Sequence, residues 1–356
     1  MLMSPFSSHL LRWYADHGRT LPWRDTRDPY HIWISEIILQ QTRVAQGYDY
    51  YLRFIERFPS VEALAAATQD EVMQQWEGLG YYSRARNLHA AAQQVVVQGH
   101  FPMDYEGVRA LKGVGDYTAA AICSFAYDLP TAVVDGNVYR VLSRYFGIDT
   151  PIDTTAGKKL FAQLAQELIV PQRAADYNQA IMDFGAMQCT PRSPQCLLCP
   201  LADSCAALAS GSVEQLPVKS KKTAVSHRYF AYVLVENPAV SEDDEPHLWI
   251  RRRPTGDIWV GLYEPVLFEY DHTPTASEVV ASLQEKGWIS SEDTLTPLVE
   301  GLKHQLTHRQ LHADAYLLRT AQSVPEGFQS VPRSELSNFA FPKLVNIVWE
   351  KWGHQR

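Results

Sequence analysis

Residues 189–205 read CTPRSPQCLLCPLADSC, four cysteines at spacing C-x6-C-x2-C-x5-C. The only other cysteine of the chain is Cys123. Four thiols in so short a run can form a disulfide knot, a structural zinc site or the ligand set of an iron–sulfur cluster. A chain of 356 residues buries a core without staples, which disfavours the disulfide reading and with it a secreted protein. Structural zinc sites usually present two C-x2-C pairs, whereas only Cys196 and Cys199 are so spaced here. The longer gaps suit a loop wrapped round a larger cluster.

Upstream of this loop almost nothing alternates with period two, and apolar residues recur at helical spacing. The pattern predicts helices over 6–17, 32–58, 61–67, 70–78, 84–98, 104–110, 116–127, 137–146, 155–170 and 174–188. Residues 1–210 are therefore expected to be an all-α domain that ends in the cysteine loop. Residues 211–226 are polar, lysine-rich and carry Pro217, as an exposed linker does. Beyond them, β-branched and aromatic runs at 228–237, 247–254, 262–270 and 311–320 predict strands, and 275–288 and 342–352 predict helices. Residues 227–356 are thus expected to be an α+β domain, with an acidic hairpin loop at 236–247.

The composition is that of a globular protein, 46% hydrophobic and 20% charged. No run of eighteen apolar residues is present, so no membrane-spanning helix is expected. The opening residues lack a basic segment followed by an apolar run, which predicts no signal peptide and a cytoplasmic protein. A net charge of −8 argues mildly against a nucleic-acid partner. Charge can be placed locally, however, and Arg84, Arg86, Lys112, Arg140 and Arg144 all fall in or near stretches that can carry chemistry.

There are four such stretches besides the cysteine loop. In LKGVGDYTAAAI, residues 111–122, Gly113 and Gly115 allow a tight turn whose amides can point at a phosphate, although glycines also serve ordinary helix turns. In AVVDGNVYRVL, residues 132–142, Asp135 and Asn137 stand where a helix begins, so capping alone would explain the aspartate. In PYHIWISEIILQQTRV, residues 29–44, Glu36 is flanked by Ile34, Ile37, Ile38 and Leu39. A carboxyl group in such surroundings has a raised pKa and can serve as a general acid, whereas most helix glutamates are merely exposed. In WEGLGYYSRARNLHAAA, residues 76–92, Tyr81 and Tyr82 come after glycines and precede two arginines, as in a DNA-facing loop.

Together these motifs resemble the adenine DNA glycosylase (MutY) family of the helix-hairpin-helix, endonuclease III superfamily. The resemblance runs from the LPWR stretch at 21–24 to KHQLTH at 303–308. It implies a [4Fe–4S] cluster on Cys189, Cys196, Cys199 and Cys205, and DNA backbone contacts at Gly113 and Gly115. It also implies a general acid at Glu36 and a catalytic aspartate at Asp135, with Asn137 beside it. By the same resemblance Tyr81 wedges into the base stack, with Leu39, Gln41 and Thr42 at that surface. Leu21, Trp23 and Arg24 lie near a flipped base, and Gln179 reads the adenine edge. Bifunctional relatives carry a lysine two residues after the G-V-G turn, and here that position is Tyr117. Base removal without an efficient lyase step is therefore expected, with Tyr117 hydrogen-bonding in the site or packing on the sugar.

Residues 251–268, RRRPTGDIWVGLYEPVLF, resemble the Nudix-like domain of the same family. The chain has no R-E-x-x-E-E pattern, so diphosphate hydrolysis is not expected. Leu306, Thr307 and His308 stand where the family commonly has Phe-Ser-His, so the hydroxyl and imidazole are kept and the aromatic ring is lost. The expected partner is double-stranded DNA with adenine opposite 8-oxoguanine or guanine. It is bound by a monomer, with no membrane, on bacterial-type nucleoid DNA. A bifunctional glycosylase/lyase, a non-catalytic iron–sulfur DNA-binding protein and a nucleotide hydrolase are the competing readings.

Overall fold

The computed structural model describes residues 3–220, 225–238 and 245–353. The chain divides into two compact units, residues 1–66 with 87–222 and residues 67–86 with 223–356. Residues 67–86 thus group with the C-terminal sheet, although the sequence pattern places them among the N-terminal helices.

The first unit is helical. Its elements include α1 (Pro5–His17), α2 (Pro29–Leu39), α3 (Val44–Arg57) and α4 (Val61–Ala66). The short α5 (Gln69–Gln75) belongs to the other unit, and α6 (Ser83–Gln98) runs from one to the other. Then come α7 (Tyr105–Arg109), α8 (Asp116–Tyr127), α9 (Gly136–Phe146), α10 (Thr155–Leu168), α11 (Ala174–Asp183) and α12 (Ala206–Ala209). Helix α2 is buried nearly all round, through Ile32, Trp33, Ile34, Ile37 and Ile38, as befits a helix at the centre of a core. It packs on α8 and α3, while α11 packs on α1, α8 and α9.

Two predicted helices are interrupted. The predicted 32–58 helix breaks between Leu39 and Val44, where Gln41 adopts φ +60° and the Thr42 amide closes a turn on the Leu39 carbonyl. A left-handed residue cannot sit inside an α-helix. The predicted 174–188 helix turns at Asp183 into one π turn, Phe184–Gln188, and the Cys189 amide bonds the Phe184 carbonyl at 2.8 Å. Such turns insert one residue and re-aim the chain beyond them, here the first cysteine.

The second unit is a mixed sheet between two helices. Its strands are β1 (Ser226–Asn237), β2 (His247–Arg252), β3 (Tyr263–Glu264), β4 (Val266–Tyr270), β5 (Thr294–Gln305), β6 (Arg309–Arg319) and β7 (Gln329–Pro332). The main path is β3-β2-β1-β6-β5, with β4 also paired to β1 and β7 to β2. Strand β1 runs parallel to β6 and alternates between two cores. Phe230, Tyr232 and Leu234 face helix α14 (Lys343–Gly353), and Ala231, Val233 and Val235 face α13 (Ala276–Glu285). The periodicity misses β5, because Pro297 and Gly301 interrupt it and its register on β6 shifts twice. Pro265 splits the predicted 262–270 strand into β3 and β4. The centre of the predicted acidic hairpin, residues 239–244, lies outside the described residues.

Candidate active site

Helix α2 starts with Pro29 after Asp28, whose side chain accepts the Tyr30 amide at 2.8 Å. Two turns on, Glu36 is 7% exposed among isoleucines. Burial pushes its pKa up to about 7, the charge of Asp135 adds to the rise, and a hydrogen bond from Tyr117 and the Arg24 charge oppose it. Burial and the neighbouring Glu36 and Asp135 raise Tyr117 well above the usual phenol range, so it stays a donor. Three sequence-predicted residues from α2, α8 and the start of α9 thus converge.

Asp135 caps α9, accepting the amides of Asn137 and Val138 at 2.8 Å each. Its other oxygen accepts Asn137 Nδ2 at 2.8 Å. Burial raises its pKa, against the pull of those bonds and of Arg140. Arg140 Nη2 donates to Asn137 Oδ1 at 2.8 Å and to the Gly185 carbonyl, while its Nε donates to the Cys189 carbonyl at 2.7 Å. A Cβ on Gly185 would meet Asn137 Cβ at 2.7 Å, so only glycine lets the π turn approach the capped helix this closely.

A second cluster lines a polar cavity of about 240 Å³ with Tyr14, Trp23, Arg24 and Gln179 on its wall. Asp183 is fully buried and accepts from Arg19 and from both Nη atoms of Arg24 at 2.8 Å. Burial alone would raise the Asp183 pKa, but the two guanidinium groups outweigh it and hold it below the usual range. Leu21 and Trp23 are buried beside this frame. Tyr14, Arg19 and Asp183 carry no mark in the sequence motifs. The available signal was an aspartate at the end of an apolar helix, matched by two arginines in RTLPWR.

At the G-x-G turn, Gly113 has φ +77° and a Cβ there would lie 2.6 Å from Asn87 Cβ. Gly115 caps α8 with extended backbone and open space where a side chain would be. Leu39 and Thr42 are half-buried and Gln41 is exposed on the turn between α2 and α3.

The four loop cysteines line one small cavity with Leu208 and Val213. Among the described residues no three His, Cys, Asp or Glu side chains are placed to hold a single metal ion. Arg144 is 3% exposed, and its guanidinium donates to the Leu216, Thr190 and Pro191 carbonyls and, at 3.4 Å, to Cys189 Sγ. Among the described residues it pairs with no carboxylate. A buried cation so placed suits a thiolate-bound group of net negative charge. Cys189, Cys196, Cys199 and Cys205 would hold that group, which would cross-link the loop there.

In the second unit, Tyr81 is 49% exposed with φ +47°, and its hydroxyl bonds Thr307 Oγ1 at 2.7 Å. The KHQLTH stretch is the end of β5 plus the turn into β6. Leu306 packs on the α14-side core, while Thr307 and His308 are exposed. With Trp259 and His304 they border a cavity of about 560 Å³. Arg84 and Arg86, predicted on a DNA-facing loop, turn inward. Arg84 bonds the Leu79 and Gly80 carbonyls and Arg86 the Val260 carbonyl.

Residues 34–171 match the HhH-GPD superfamily base excision DNA repair protein, residues 189–205 the iron–sulfur binding domain of endonuclease III, and residues 239–351 the NUDIX domain. The cysteine loop is therefore the site of a [4Fe–4S] cluster. The adenine DNA glycosylase of Mus musculus is 44% identical over 229 residues, covering 60% of this chain. The chain spans only 44% of that relative's length. The adenine DNA glycosylase of Buchnera aphidicola subsp. Acyrthosiphon pisum is 31% identical over 345 residues, 96% of this chain and 94% of that one. Among solved structures, a thermostable thymine-DNA glycosylase superposes with a TM-score of 0.54 and 32% identity, over 58% of this chain and 95% of that one. With near-complete coverage of the Buchnera relative, the chain belongs to the adenine DNA glycosylase family.

Proposed function

We propose that this chain hydrolyses the N-glycosidic bond of adenine in DNA, acting on adenine opposite 8-oxoguanine and opposite guanine. The observation that carries it is Glu36, buried and held near a pKa of about 7 beside Tyr117 and Asp135. The likeness to a thymine-DNA glycosylase means that the helical fold does not choose the base. The choice rests with the side chains round the cavity of Arg24 and Gln179 and on the adenine-specific relatives.

In this reading the adenine leaves the stack at a cost of a few kcal/mol and enters the helical unit. Protonated Glu36 gives its proton to adenine N7, and the C1′–N9 bond breaks with its electron pair going to the base. Asp135 faces the oxocarbenium ion that remains, a charge its fixed carboxylate stabilises. Ionised Glu36 then takes a proton from water as the oxygen bonds C1′, which restores the acid. Tyr117 supplies a hydrogen bond and no amine, so no Schiff base forms and the abasic strand stays intact. Asn137 positions Asp135, and the cluster only fastens the loop that Arg140 grips.

The 8-oxoguanine preference is assigned to Tyr81, Thr307 and His308 of the second unit; in the helical unit Leu39, Gln41 and Thr42 are assigned to DNA contact, and Gly113 and Gly115 to the backbone. We assign the work to a monomer on nucleoid DNA in the cytoplasm. Adenine release from duplexes with A opposite 8-oxoguanine, G or T, with and without alkali, tests the reading. Release from the first two, with strand breaks only after alkali, is expected. Breaks without alkali together with borohydride trapping would revive the lyase.

A further inference from the structure

Tyr14 on α1 and Gln179 on α11 are 165 positions apart, yet the Tyr14 hydroxyl donates to Gln179 Oε1 at 2.5 Å. Both line the polar cavity of about 240 Å³. The charged groups Arg19, Arg24, Arg27 and Asp176 of that wall are held by other partners. Arg24 donates from Nη1 to the Arg19 carbonyl and Asp183, and from Nη2 to Asp183. Its guanidinium carbon also lies 6.0 Å from the Tyr14 ring centre. Gln179 is the primary amide of this wall, and its orientation changes what the cavity offers a base.

A primary amide has two orientations related by a half-turn, and they are complementary to different purines. With carbonyl and amine in one order it accepts from the adenine N6 amine and donates to N1. In the other order it donates to O6 and accepts from N1–H, the pattern of hypoxanthine. A free glutamine flips between the two and discriminates poorly. The Tyr14 hydroxyl limits that freedom. If the amide flips, its amine must donate to the phenol oxygen, a poorer acceptor than a carbonyl, and the phenol proton loses its carbonyl partner in a half-buried place. Exchanging the better hydrogen bond for the poorer one disfavours the flipped state by roughly fivefold.

We propose that Tyr14 is a positioning residue that biases the Gln179 amide toward the orientation complementary to adenine and thereby disfavours hypoxanthine. This rests on Gln179 facing the flipped base. Burial raises the Tyr14 pKa above the usual phenol value, so the bias persists through neutral and mildly alkaline pH.

The test compares single-turnover release of adenine and of hypoxanthine opposite 8-oxoguanine by the full-length, cluster-loaded protein. If hypoxanthine release is below detection, the same ratio is taken from inhibition by the two free bases. Tyr14→Phe is expected to lower the adenine-to-hypoxanthine ratio about fivefold. A carboxylate has no second orientation, so in a Gln179→Glu background Tyr14→Phe should leave the ratio unchanged. A purely structural tyrosine would slow both bases in proportion and leave the ratio intact in either background, which would overturn the proposal. Gln179→Ala separates the two layers. If that variant keeps the wild-type adenine rate and ratio, the reading of Gln179 fails and the role of Tyr14 falls with it, whereas a changed ratio there with an unchanged one in Tyr14→Phe overturns the role of Tyr14 alone.

Discussion

Asp135 and Cys189 are joined by two intervening side chains. Asp135 accepts Asn137 Nδ2, Asn137 accepts Arg140 Nη2, and Arg140 Nε donates to the Cys189 carbonyl, at 2.8, 2.8 and 2.7 Å. The proposed catalytic carboxylate and the first cysteine of the cluster loop therefore share one guanidinium. Position alone would not couple them, but a planar fork that serves both ends does.

Arg140→Lys keeps the charge and loses the fork. It is expected to lower both cluster retention, read from visible absorbance per protein, and adenine release by about tenfold, read in single turnover. Normal retention with impaired release would confine Arg140 to Asp135. Impairment of neither would remove the link.

In the proposed mechanism Glu36 sets the pH dependence. Its folded pKa of about 7 lies above its unfolded value, so the acid is loaded below about 7 and release should fall as pH rises through that point. Glu36→Gln should cost roughly 10²–10⁴ in rate. Because the folded pKa is raised, the stability associated with the protonated form is complete below the unfolded pKa and disappears as pH rises through about 7. Glu36→Gln should thus be more stable than wild type at pH 8 by up to roughly 3 kcal/mol, and by little at pH 4. Denaturant titrations at the two pH values measure this, and equal stabilities at pH 8 would contradict it.

Tyr117 donates to Glu36 and lowers its pKa against the larger effect of burial. Tyr117→Phe removes that donor, so the alkaline limb of the pH–rate profile should move to higher pH, with the maximal rate reduced severalfold. A limb that stays put or moves to lower pH would show that the phenol does not bond Glu36 in solution.

Asp183 is the fully buried counter-charge of Arg19 and Arg24. Removing one member of a buried ion pair leaves the other charges uncompensated and costs on the order of 3–5 kcal/mol. Asp183→Asn should lower thermal stability clearly and weaken adenine release through Arg24. The two effects are separated by assaying well below the new melting temperature. A variant as stable as wild type would mean that solvent reaches the guanidinium groups.

The sequence carried most of the helical site because its signals are local. The apolar flanks of Glu36 implied burial, and the cysteine spacing implied a cluster. Asp135 stood where a cap belongs, and it is one. The partners of those residues were not local. Asp183 meets Arg19 across 164 positions and Tyr14 meets Gln179 across 165, and no periodicity reports such pairs. Strand β5 escaped because Pro297 and Gly301 break its alternation while its hydrogen bonds to β6 resume beyond each shift. The grouping of residues 67–86 with the sheet escaped for a different reason. Helical periodicity records which face is buried, not what buries it.

Tyr81 and Thr307 give the last test. A tyrosine at φ +47° is strained, and what holds it is the Thr307 hydroxyl at 2.7 Å together with the Arg84 guanidinium, 5.6 Å from its ring centre. Arg84 is itself tied to the Leu79 and Gly80 carbonyls, so the hydroxyl is the contact that a point change removes most cleanly. Thr307→Ala should free the ring and slow adenine release opposite 8-oxoguanine by about five- to tenfold, with a smaller loss opposite guanine. Thr307→Ser retains the hydroxyl and should stay close to wild type. Single-turnover rates on the two duplexes decide the matter. Equal losses opposite both bases would mean that the pair steadies the loop without reading the lesion, and an unchanged rate would mean that Tyr81 keeps its place without Thr307.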